Sequence, residues 1–290
     1  MRDLESRTTA DHDAASATAT PVRAPTRFRR VAATRYVTPL REGGSLPAIV
    51  EADDDGMYVV KFRGAGQGPK ALVAELIAAG LASVLGLPVP EAVLVDLDPA
   101  LGMAEPDPEI QELLERSPGL NVGLDYLPGS LPLGAPLGSG VAPELAAEVV
   151  WFDAFLQNVD RTPRNANLLL WHRQLWLIDH GAALYTQHGW TDDLVTIEAK
   201  AGAVFPSIRE HVLLPIAGSI LEADDRLASR LDSDILNSMA AAIPNELLED
   251  NPPVPSAAWH RDAYATHLRQ RLAAPRAWVA AAEEARRAIA

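Results

Sequence analysis

The stretch 158–165, Asn-Val-Asp-Arg-Thr-Pro-Arg-Asn, constrains this chain more than any other. An apolar run (144–157) leads into it, and an apolar hairpin pattern and Leu177-Ile178-Asp179-His180-Gly181 follow it. The spacing sets Asp160 and Asn165 five positions apart in one turn. It also delivers a second carboxylate, Asp179, at the end of the apolar stretch 175–178. Phosphoryl transfer from a nucleotide requires such a set. One carboxylate orients the attacking hydroxyl, while an amide oxygen and another carboxylate hold a divalent cation on the phosphates. The bland reading of Asp160 is an Asx turn or helix cap after Gln157, but it does not account for Asn165 and Asp179. A lone D-x-x-x-x-N is common by chance. Followed by Asn167-Leu-Leu-Leu170, a hairpin around Trp171-His172-Arg173 and Ile178-Asp179-His180-Gly181, it is selective.

The rest of the chain divides by pattern. Residues 1–32 are polar, rich in Ala, Thr and Ser, and without apolar periodicity, which predicts a disordered tail. Extended patterns over 33–39 and 48–51 flank a turn, Gly43-Gly44-Ser45, and the strand-forming stretch 57–62 follows the turn signal 53–56. A glycine-rich loop (64–68) precedes a helix over 69–85, closed by Gly86 and Pro88. A strand over 91–97, a short helix over 109–116 and an extended segment over 120–127 come next. The Pro/Gly-rich crossover 128–143 is the natural boundary. The expected fold is α+β in two lobes: a small β-rich unit with its hinge over 33–127 and a helical unit over 128–290. Beyond 191 the pattern predicts helices over 208–222, 224–243, 257–274 and 275–290.

Composition narrows the function. The net charge is −14, a poor match for direct nucleic-acid binding, where phosphate neutralisation supplies most of the affinity. There is no cysteine, so disulfides and thiolate metal sites are excluded. No apolar run reaches the ~20 residues of a membrane helix, and the N-terminal stretch lacks a signal-peptide core. These features predict a cytoplasmic protein without a membrane partner. Only Lys61, Lys70 and Lys200 are lysines among 25 basic residues, so arginine is the default cation and the scarcity draws attention to Lys61, where a compact point charge would suit a tight site. The order strand, glycines, helix also suggests a dinucleotide site with Asp96 on a ribose. However, the glycines read G-x-G-x-G, Asp96 is too distant, and no βαβ alternation follows.

From about residue 33 onward the layout, with Asn158, Asp160, Arg161 and Asn165 as N-x-D-R-x-x-x-N, resembles the protein-kinase-like fold. It is closest to the HipA-like branch, which shares this loop with phosphatidylinositol kinases. The resemblance implies an ATP- and magnesium-dependent phosphotransferase acting on a protein or small-molecule acceptor, more readily a protein serine or threonine. By the same resemblance Asp160 is the catalytic-loop carboxylate, and Asn165 and Asp179 hold Mg2+. Lys61 holds the α- and β-phosphates, and Glu75 pairs with it. Gly43, Gly44 and Ser45 form the phosphate-covering turn, with Ser45 a possible self-phosphorylation site, and 120–126 forms the adenine hinge. The chain departs from the pattern at His180, where kinases carry phenylalanine, and at Thr162, where related loops carry histidine or lysine. Arg161 or Arg164 would supply the missing charge. Two alternatives stand beside this reading. One is a small-molecule kinase of the aminoglycoside or choline type, whose cationic acceptor Asp192, Asp193 and Glu198 would hold. The other is a nucleotide-binding pseudokinase.

Overall fold

The computed structural model describes residues 27–40, 46–66, 68–134, 140–190, 193–248 and 256–289. The expected phosphate-covering turn at Gly43, Gly44 and Ser45, most of the expected N-terminal tail and Asp192 lie outside them.

Period-two alternation builds the first part. Strands β1 (Arg30–Pro39), β2 (Ala48–Ala52) and β3 (Met57–Lys61) run antiparallel in sequence order. β4 (Ala92–Leu97) and β5 (Gly119–Asp125) complete a closed barrel in the order β1-β2-β3-β5-β4. Parallel pairing of Arg30 with Leu94 through Ala32 with Asp96 closes it, which leaves no free sheet edge. Val31, Val50, Tyr58, Val60, Phe62, Val93 and Val95 fill the interior. Because successive side chains alternate faces, Lys61 stands opposite Val60 and Phe62, on the outer face toward α1 (Pro69–Leu85).

Pro69 opens α1, and Gly86, with φ 74°, closes it as a Schellman motif: Gly86 N–H bonds Ser83 O and Leu87 N–H bonds Ala82 O. The helix is buried on nearly every face. It packs against the outer side chains Leu94, Leu120, Val122 and Leu124 of the barrel and against the helical part of the chain. Helix α2 (Pro108–Glu115) covers one end of the barrel.

Short strand β6 (Leu131–Pro132) pairs with the hairpin of β7 (Leu168–Trp171) and β8 (Gln174–Leu177). Around these lie α3 (Pro143–Leu156), α4 (Leu194–Ala201), α5 (Ile220–Leu227), α6 (Ser233–Ala241), α7 (Ala257–Leu272) and α8 (Ala277–Arg287).

Two expectations are corrected. The stretches 208–222 and 224–243 are not two long helices. They form 3-10 turns at Pro206–Glu210 and Leu214–Ile216, then α5, a further 3-10 turn at Ala228–Arg230, and α6. Pro206 and Pro215 remove helix donors. Ser219 and Asp232 start new helices by accepting from Glu222 N–H at 3.2 Å and Ile235 N–H at 2.8 Å. The stretch 120–126 is a barrel strand rather than a connector, because its ladder bonds go to β3 on one side and β4 on the other. The chain leaves the barrel after Asp125.

Candidate active site

Three elements meet below the barrel. Helix α3 ends with Gln157 in the left-handed region at φ 54°, again as a Schellman motif, with Asn158 N–H on Asp153 O at 2.9 Å. That reversal starts the loop 158–165. The loop closes on itself through Thr162 N–H to Asn165 O at 3.0 Å and Asn165 N–H to Thr162 O at 3.1 Å. Asp160 Oδ2 accepts from Asn165 Nδ2 at 2.7 Å and Asn167 Nδ2 at 3.4 Å. The amide oxygen of exposed Asn165 therefore remains available as an acceptor. Burial, and next the charge of Asp179, push the Asp160 carboxyl above its ordinary range, against the two amide donors.

Strand β8 delivers Asp179, itself at φ 55°, a conformation aspartate tolerates better than most residues. The structure brings Asp179, Lys61 and Glu75 together. Lys61 Nζ donates to Glu75 Oε2 at 2.6 Å and also bonds Asp179 Oδ1. Glu75 is fully buried and Lys61 nearly so, whereas the Asp179 side chain is 40% exposed. Burial disfavours both buried charges, but each is offset by the other. Glu75 is held down to about 2, and Lys61 is kept above its ordinary value by Glu75 and then Asp179.

A further buried set underlies the loop. Arg161 bonds Asp153 through Nε, the carbonyls of Ala166, Asn167 and Ile178 through one Nη, and His180 Nε2 at 2.9 Å through the other. Asp153 also accepts from Asn158 Nδ2 and from His211 Nε2, each at 2.9 Å. Arg161 is thus an internal strut and is not available to a phosphate; Arg164, on the same turn, is exposed. Sequence reasoning overlooked Asp153 and His211. The signal for Asp153 was present, since it is the single charge in the apolar run Val-Val-Trp-Phe-Asp-Ala-Phe-Leu over 149–156.

Other expected positions have structural partners. Gly64 N–H donates to Ser117 Oγ at 3.1 Å, and a Cβ at Gly64 would meet Arg116 O at 2.7 Å, so close backbone packing fixes this glycine. Asp96 pairs with Arg30, at 2.5 and 2.6 Å. Asp193 caps α4 through Val195 N–H at 3.0 Å. A cavity of about 440 Å³ lies under the segment that follows Asp179, with Tyr185, Trp190, Thr196, Lys200 and His267 among the described residues of its wall and no carboxylate among them.

Among the described residues no three His, Asp or Glu side chains cluster as a metal cage. A sparse oxygen pair such as Asp179 and the Asn165 amide would suit an ion that keeps water and phosphate ligands, as magnesium does.

A barrel resting on one buried helix, with a lysine–glutamate pair facing an aspartate-bearing loop below, defines a kinase-type catalytic fold. The sequence matches the HipA-like kinase family over residues 34–280, and the chain belongs to that family. It is a phosphotransferase of the protein-kinase type. Among solved structures, a proinflammatory kinase of Helicobacter pylori, CtkA, shares the fold at 15% identity and TM-score 0.51, over 89% of this chain and 98% of that one. The Golgi casein kinase with Mn and ADP bound aligns at 13% identity and TM-score 0.43, over 86% of this chain and 72% of that one. No curated protein is a significant match to the sequence. Among the described residues no helix is long and apolar enough to cross a membrane.

Proposed function

We propose that this kinase transfers the γ-phosphate of magnesium-bound ATP to a serine or threonine hydroxyl of a protein, with the nucleotide between Lys61 and the floor of Asp160, Asn165 and Asp179. One observation carries the reading: Lys61 is shared between a fully buried carboxylate, Glu75, and a half-exposed one, Asp179. Glu75 fixes the ammonium in place and keeps it charged. The bond to Asp179 can be exchanged for nucleotide phosphate oxygens, which frees Asp179 to hold the metal together with Asn165. A magnesium ion there neutralises charge on the transferred group. Asp160, with a raised pKa and two amide donors on Oδ2, aligns the attacking hydroxyl. Arg164 is the exposed cation nearest in sequence to Asn165 and is assigned to the outer phosphate. The connection after Asp125 serves as hinge between lobes over 33–127 and 128–290.

Two observations favour a protein acceptor over a cationic small molecule: the described part of the cavity wall carries Lys200, and Asp193 is engaged in capping α4. The test is transfer from γ-labelled ATP and magnesium to dephosphorylated casein, followed by phosphoamino acid analysis. Label on serine or threonine that disappears in Asp160→Asn and Asp179→Asn supports the proposal. Transfer that survives both substitutions, or neither transfer nor ATP hydrolysis by the wild type, overturns it.

A further inference from the structure

Position 180 carries more than the step after Asp179. His180 is buried, and its backbone N–H and ring Nε2 reach Glu75 and Arg161 respectively. Its N–H donates to Glu75 Oε2 at 2.9 Å, and its Nε2 lies 2.9 Å from Arg161 Nη2. A guanidinium only donates, so Nε2 must accept, and the ring proton sits on Nδ1. Nδ1 is 3.7 Å from Glu75 Oε1, and that oxygen is buried without a hydrogen-bond partner. Orphaned buried acceptors are rare enough to need a reason. On the other side, Arg161 follows Asp160 directly in the chain. Its guanidinium and its carbonyl, which accepts from Val212 N–H at 3.0 Å, fix the loop in the helical part.

We propose that His180 is a positioning residue that ties the Lys61–Glu75 pair to the loop bearing Asp160, acting through Arg161. The inference rests on the proposed nucleotide site. When Lys61 exchanges Asp179 for phosphate, the Glu75 carboxylate can pivot about Oε2, which stays on Lys61 Nζ and the His180 N–H. Closing Oε1 onto Nδ1–H at about 2.9 Å needs a movement of only about 0.8 Å from the present 3.7 Å. The histidine then holds Glu75 at both oxygens and Arg161 at Nη2. A phenylalanine here fills the volume but leaves the Arg161 donor and the Glu75 acceptor unpaired in the interior.

The test compares magnesium-dependent ATP turnover and nucleotide affinity in wild type, Asp160→Asn, His180→Phe and His180→Gln. In His180→Gln the side-chain oxygen can stand in for Nε2. His180→Phe is expected to lose roughly 10–100-fold in kcat, as when a group orienting a working side chain is removed, with nucleotide affinity retained. His180→Gln is expected to recover part of that loss. Adding His180→Phe to Arg161→Lys is expected to cost less than the sum of the two single effects, because the residues act in series. The relay is overturned if His180→Phe turns over like wild type while Asp160→Asn is inactive. It is also overturned if kcat and affinity fall in parallel without rescue by glutamine, since that assigns His180 to general integrity. Turnover surviving in Asp160→Asn overturns the site assignment and the relay together.

Discussion

Lys61 shows how a single residue can be read from scarcity. It is one of three lysines, and the structure places its compact ammonium between two carboxylates, Glu75 and Asp179. Lys61→Met leaves the Glu75 carboxylate buried and uncompensated. We predict a loss of roughly 3 kcal/mol at neutral pH, measured by denaturant unfolding. The sign with pH is fixed by the pair. With its pKa held down to about 2, Glu75 contributes stability that is complete above its unfolded value of 4.5 and is lost as pH falls toward about 2. Without Lys61 that pKa rises, so the deficit of Lys61→Met shrinks as pH falls toward 4. Which side chains meet was largely legible, because Lys61, Asp160, Asn165 and Asp179 lie at strand ends or in one short turn. Arg161 was not, since a charged side chain beside a phosphate site and one buried beneath it look identical in sequence.

At the level of elements, the barrel strands, α1 and the hairpin of β7 and β8 fall within a few residues of where alternation, glycines and prolines place them. Helices α7 and α8 likewise fall close to the expected 257–274 and 275–290, whereas the stretch between α4 and α7 was harder. Apolar periodicity runs across Pro206, Pro215 and Gly218, and the caps Ser219 and Asp232 that divide it are ordinary polar residues until their amide partners are known. Asp232→Ala removes the side-chain bond to Ile235 N–H and is predicted to cost about 1 kcal/mol of stability. Inside the barrel, Gly123 of β5 faces Val95 and Tyr58, and an added Cβ would sit 2.8 Å from Val95 Cγ2 and 3.0 Å from Tyr58 Cβ. Gly123→Ala is therefore predicted to destabilise by roughly 1–3 kcal/mol through overpacking, with the loss read from the unfolding midpoint.

For the whole molecule, buried neutral histidines set the response to acid. Burial, aided by Arg271, drives His267 down to about 3, and burial also lowers His211 and His260. A depressed folded pKa means that the unfolded chain binds the proton first. The stabilisation is thus complete above the unfolded value of 6.5 and is lost as pH falls toward about 3. The melting temperature is predicted to fall from pH 7 to pH 5, and His267→Gln should flatten that slope. A slope unchanged by His267→Gln would contradict the assignment of this acid response to His267.

The account turns on one site, where a magnesium–nucleotide complex replaces the Lys61–Asp179 contact. The most direct measurement is a thermal-shift titration with ATP, with and without magnesium, on wild type, Asp179→Ala and Asp160→Ala. At a hundredfold excess over the dissociation constant, binding adds about 2.7 kcal/mol, which raises the melting temperature by about 5 °C in a chain this size. The account predicts a magnesium-dependent rise in wild type and Asp160→Ala and none in Asp179→Ala. A wild type without a magnesium-dependent rise at saturating ATP, or an Asp179→Ala variant that rises as wild type does, would contradict it.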